Sequence, residues 1–123
     1  MKLAWKVAVF SAGLLAASCA PSALEGGFDS PNPAAKLYAI EQAAREGDRR
    51  PETLASIVEQ LDSDDPVVRL LAITALERLT GDTLGYEYDA PASERRPAIR
   101  RWQDRLDSFH LDGEYASSEE HHG

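Results

Sequence analysis

Three kinds of hydrophobic pattern follow one another along this chain. Val7 to Ala17, VAVFSAGLLAA, is an uncharged run of eleven residues. Between residues 33 and 110 apolar positions recur at helical spacing, and residues 19–32 and 111–123 show neither pattern. The opening run falls short of the roughly 20 residues a spanning helix needs and suits the apolar heart of a signal peptide. Lys2 and Lys6 supply its positive flank. Farther on, Leu54, Ile57, Val58 and Leu61 stand at i, i+3, i+4 and i+7, one apolar stripe of a helix. Val67, Val68, Leu70, Leu71, Ala72, Ile73, Ala75, Leu76 and Leu79 make the next segment apolar on nearly every side, so a helix there is expected to be sandwiched between neighbours. Ile99, Trp102, Leu106 and Phe109 give a last stripe.

Turn chemistry sets the limits of these helices. Asn32 and Asp65 are good N-caps, with Pro33 and Pro66 at the first helical position, where a missing N–H costs nothing. Gly47 and Gly81 suit left-handed C-terminal caps. The expected helices run about Pro33 to Glu46, Pro51 to Asp62, Pro66 to Thr80 and Ser93 to Phe109. Pro97 confines the last start to Ser93 or to Pro97 itself, since proline is tolerated only in a first turn. The chain therefore reads as all-α.

The pattern also repeats. Asp29 to Ala43, DSPNPAAKLYAIEQA, aligns without gaps on Asp62 to Leu76, DSDDPVVRLLAITAL, at an offset of 33 residues. Identities fall at Asp29/Asp62, Ser30/Ser63, Pro33/Pro66, Leu37/Leu70, Ala39/Ala72 and Ile40/Ile73, and Lys36/Arg69 keeps its charge. Self-similarity at such a period marks stacked units.

Pro51 to Thr80, with its Asp64-Asp65-Pro66 turn and Arg69 early in the second helix, resembles a HEAT repeat. The upstream copy resembles the second helix of a preceding unit whose first helix is missing. The resemblance implies a short right-handed α-α solenoid of about four helices, occupying residues 33–110, and a protein-binding role along a helical face. Arrays of this type normally need about three units. Here there are about one and a half, so the last helix is expected to cap the exposed end of the third. That would leave the first helix, around Leu37, Tyr38 and Ile40, open to a second copy or another protein.

Cys19, the sole cysteine, follows Leu14-Leu15-Ala16-Ala17-Ser18 directly. This stretch resembles the lipobox of bacterial lipoproteins, although Ala16 stands where that family prefers leucine. The resemblance implies cleavage of residues 1–18 between Ser18 and Cys19, and lipidation of Cys19. The residues alone also allow an ordinary secretory signal. Ala20, in place of an aspartate, points to the outer membrane facing the periplasm. Taken whole, the chain is similar to small lipid-anchored HEAT-repeat proteins of bacteria. Residues 19–32, rich in Pro, Gly and Ser, read as a flexible tether, and residues 111–123 as a disordered tail.

Charge narrows the partners. Without the leader, 11 basic residues face 21 acidic ones, a net charge of −10. So acidic a chain is a poor nucleic-acid binder. A lone cysteine excludes an internal disulfide. No thiol beyond Cys19, no glycine-rich phosphate loop and no histidine relay is present, so neither catalysis nor a cofactor is expected. An accessory role beside an envelope enzyme such as a HEAT-like chromophore lyase is the alternative to a scaffolding module.

The remaining candidates have plainer readings. Tyr86 and Tyr88, on the long loop from Gly81 to Ala92, could anchor a partner or fold back onto the helix ends. Burial favours folding back in a domain this small. Arg95, Arg96, Arg100, Arg101 and Arg105 flank the last stripe as a solvated helix face does, with Glu94, Asp104 and Asp107 available as partners. A calcium loop opening at Asp62 fails, because Val67 and Ile73 occupy the positions that need glycine and glutamate. His121 and His122 offer a metal little preorganisation, and no metal is expected.

Overall fold

The computed structural model describes residues 24–119, and every regular element in it is helical. The leader, Ser18, Cys19 and the two terminal histidines lie outside the described residues. Four α-helices follow in order: α1, Pro33–Glu46; α2, Pro51–Glu59; α3, Pro66–Thr80; and α4, Ala92–Glu119. Two 3-10 turns, Gly27–Asp29 and Gln60–Asp62, precede α1 and α3.

The repeat is carried into the backbone. Asn32 and Asp65 have nearly the same dihedrals, φ −81° and ψ 117° against φ −82° and ψ 116°. The Asn32 Oδ1 accepts the Ala34 N–H at 3.0 Å and the Asp65 Oδ1 accepts the Val67 N–H at 2.9 Å. One step upstream, the Ser30 hydroxyl oxygen accepts from the Asn32 N–H and that of Ser63 from the Asp65 N–H. Each cap satisfies a donor that an α-helix leaves free at its start. Gly47 and Gly81 end α1 and α3 at φ 67° and 82°, a left-handed conformation that L side chains adopt with strain.

The segment expected to be a flexible tether is folded over its described part. Gly27–Asp29 packs against α1, and Phe28 lies against the hydrophobic core. The reason is the same repeat, continued upstream. The turn Gly27–Asp29 stands 33 residues before Gln60–Asp62, so Phe28 takes the place of the fully buried Leu61.

α2 is pinned at its start by Asp48. Its carboxylate accepts from the Arg50 backbone N–H, the Arg50 guanidinium and the Thr53 hydroxyl. Those donors hold the Asp48 carboxyl well below the usual carboxylate range.

Packing joins helices two apart in sequence, α1 along α3 and α2 against α4, and α2 also lies against its neighbour α3. The core between them contains Ile40, Ile57, Leu61, Val68, Leu76 and Trp102, all fully buried. One expectation is corrected here: α4 covers α2 and its following 3-10 turn rather than the open end of α3. α3 lies between α1 and α2 as expected, with one side left open at Val67 and Leu70, 52 % and 39 % exposed.

α4 begins at Ala92, one residue from the expected Ser93, with Pro97 in its second turn. The opening turn is held by the Pro91 carbonyl, which accepts from the Glu94 and Arg95 N–H groups. Arg95 reinforces it by donating from Nη1 to the Ala90 carbonyl at 2.8 Å. Burial of Ala98, Ile99 and Trp102 beyond the proline offsets the one backbone bond it cannot make. At the other end the helix continues to Glu119, through the segment expected to be disordered. No proline interrupts it there, and each added residue costs less to order than the first turn did.

Candidate interaction face on the first and third helices

The face shared by α1 and α3 is where this fold exposes what its core would otherwise bury. A groove of about 400 Å³ runs between the two helices, lined by Ile40, Glu41, Ala44 and Arg45 on one side and Leu71, Thr74, Ala75 and Arg78 on the other. Glu41/Thr74 and Arg45/Arg78 are equivalent positions of the repeat. Tyr38 on α1 is 49 % exposed and, with Val67 and Leu70 on α3, makes up the large apolar surface of these two helices.

Of the residues expected on this face, Tyr38 alone is free for contact. Leu37 packs partly into the core, and Ile40 is 1 % exposed. Ile40 is therefore corrected from contact residue to core. The cause is helical geometry: it points at α3, whereas Tyr38 projects from the opposite side of α1. Val67 and Leu70 escaped sequence reasoning, since a segment apolar all round does not show which side lacks a neighbour.

The loop after α3 folds back. Tyr86 is 4 % exposed and donates its hydroxyl to the Leu61 carbonyl, so it is no partner contact. Desolvation raises its phenol above the ordinary tyrosine value. Tyr88 packs partly against the core, and its carbonyl accepts from Arg69 Nε at 2.8 Å. Leu84 holds a left-handed φ of 51°, unusual for leucine. Its N–H donates to Asp82 and its carbonyl accepts from Arg101 Nε, both at 2.8 Å. The Trp102 indole N–H reaches the Thr83 carbonyl at 3.0 Å. The Leu84 backbone N–H, with Arg105 nearby, holds the Asp82 carboxyl below its ordinary value.

The arginines of α4 thus have more specific work than solvation. Arg95, Arg101 and Arg105 tie down the loop, Arg105 through an ion pair with Asp82 at 3.2 Å. Glu94, Asp104 and Asp107 form no ion pair among the described residues.

A second cleft, about 430 Å³, lies at the far end of the bundle between Arg49, Pro51, Leu54, Leu79, Thr80, Arg105 and Phe109. Arg105 stacks over the Phe109 ring at 5.7 Å, closing one wall. No nucleophile paired with a base lines either cavity. Among the described residues no cluster of His, Cys, Asp and Glu could hold a metal ion. No helix among them is long and apolar enough to cross a membrane. Comparison with protein families, with curated proteins and with solved structures finds no match to this chain.

Proposed function

We propose that this protein is a lipid-anchored interaction module of the bacterial cell envelope, in which a short HEAT-like helical array holds a protein partner against the α1/α3 face. The observation that carries this reading is the exposure of Tyr38 on α1 and of Val67 and Leu70 on α3, two helices that otherwise pack into one core. Large apolar side chains left exposed on an otherwise well-packed domain point to association. The 33-residue repeat of caps and turns, and the packing of helices two apart, support a solenoid made of one complete unit with half a unit on either side.

The anchor rests on the leader and Cys19. Two or three acyl chains on Cys19 would hold the module stably at a membrane, which one chain does only marginally. Replacing Cys19 by Ser tests this. It should release the protein from membranes or stall the uncut precursor, and remove labelling by a radioactive fatty acid. Unchanged partitioning into detergent would sink the lipoprotein reading. Crosslinking in native membranes, read by mass spectrometry, would name the partner.

A further inference from the structure

The repeat relates the two ends of the molecule to each other. Within the chain, α1 meets α3 through Leu37, Ile40 and Ala44, which pack against the core and share a groove with Leu71, Ala75 and Arg78. Thirty-three residues on, Leu70, Ile73 and Glu77 occupy the equivalent side of α3; Ile73 already belongs to the core, while Leu70 and Glu77 are left exposed among the described residues. Thirty-three residues back from Leu71, Ala75 and Arg78 stand Tyr38, Gln42 and Arg45 on α1, with Tyr38 and Arg45 exposed and Arg45 at the edge of the groove to α3. Each end of the array therefore carries one half of the α1–α3 contact without its other half.

We propose that a second copy of this chain supplies the match: the open side of α3 in one copy packs on the outer side of α1 in the next, repeating between molecules the contact made within each. This names the partner of the interaction face and rests on that reading.

Charge favours the same occupant. Glu77 stands where α1 has the small Ala44, and Ala44 shares its groove with Ala75 and Arg78. In the intermolecular contact Glu77 then falls against Gln42 and Arg45 of the next copy. Glu77 makes no ion pair among the described residues, and Arg45 pairs only with Glu41 one turn back on the exposed surface. The acid of one end thus meets the base of the other. Copies with a formal net charge of −8 repel at long range, so such a local pairing fixes which surfaces can approach. A contact between unlike faces does not close at two copies unless its rotation closes a ring.

The experiment is sedimentation of the full-length chain in detergent micelles over a wide concentration range, with Glu77→Arg, Arg45→Glu and their mixture. Both positions are exposed and both replacements are good helix formers, so unchanged helical circular dichroism checks the fold. The wild type should grow past the dimer as concentration rises. Each reversal alone juxtaposes like charges and should weaken self-association by at least about tenfold. Mixing the two variants in equal amounts should restore it, because the arginine introduced in one then meets the glutamate introduced in the other. A chain that stays monomeric, a dimer that never grows, or single reversals without effect would overturn the proposal. A monomer that still crosslinks to another protein in membranes would overturn only the self-stacking. A chain that does neither would overturn the interaction module as well.

Discussion

Arg69, in the first turn of α3, donates from Nε to the carbonyl oxygen of Tyr88, nineteen residues later, at 2.8 Å. Its Nη1 reaches back to the carbonyls of Ser63 and Asp64 at 2.7 and 3.1 Å. One guanidinium therefore locks the turn before α3 to the loop after it. Arg69 is nearly buried, and the fork satisfies its buried donors with three backbone carbonyls. In the first copy Lys36 stands there, which lacks the planar fork.

Removing that fork should cost more than a surface arginine is worth. We expect Arg69→Ala to destabilise the domain by about 3 kcal/mol, since charged hydrogen bonds contribute about 1.5–3 kcal/mol and the carbonyls are left unpaired. Arg69→Lys should recover only part of it. Urea denaturation would measure both. An Arg69→Ala midpoint equal to that of Arg96→Ala would show that the fork is not holding the loop.

The buried phenol gives a pH signature. Desolvation raises the Tyr86 pKa in the folded state above its ordinary value of 10.0. The stability it contributes is therefore complete below pH 10 and declines as pH rises through the folded value, where the unfolded chain ionises first. Tyr86→Phe should flatten that alkaline limb. At neutral pH it should cost about 1 kcal/mol for the bond to Leu61. Thermal melts from pH 8 to 11 would show it, and an identical alkaline limb in the variant would place the tyrosine in water.

Core and face should respond differently to truncation. Leu76 and Ile73 are buried, and Leu76→Ala or Ile73→Ala should cost about 2–5 kcal/mol. Val67, half exposed on the same helix, should change stability by only about 0.5 kcal/mol on replacement by Ala. Equal losses at Leu76 and Val67, measured at unchanged denaturant slope, would mean that a neighbour covers both sides of α3 in solution.

How far the sequence spoke for the structure depends on the physics of each element. The caps were legible because Asn32-Pro33 and Asp65-Pro66 each carry a local signal, and the structure sets them in almost the same dihedrals. Phe28 was not, because its equivalence to Leu61 emerges only when the 33-residue offset is carried past the last identical pair, into a stretch of Gly and Pro. The start of α4 was legible to within one residue, and Arg95 and the Pro91 carbonyl stabilise the turn ahead of Pro97. Tyr86 folded inward as its surroundings in a small domain suggest. Tyr38 was legible as exposed, but Ile40 beside it was not legible as core, since two residues on a helix face differ by which neighbour exists. Val67 and Leu70 illustrate the same limit: composition says how apolar a helix is, and only packing says which side stays bare.

The most direct test of the interaction face is site-specific photocrosslinking in native membranes, with a benzophenone side chain placed singly at Tyr38, at Leu70 and at Arg96. The first two lie on the exposed α1/α3 face, and Arg96 is exposed on α4. A discrete protein adduct is expected from Tyr38 and from Leu70, and none from Arg96. Adducts from Arg96 alone, or from no position, would contradict a binding role for this face.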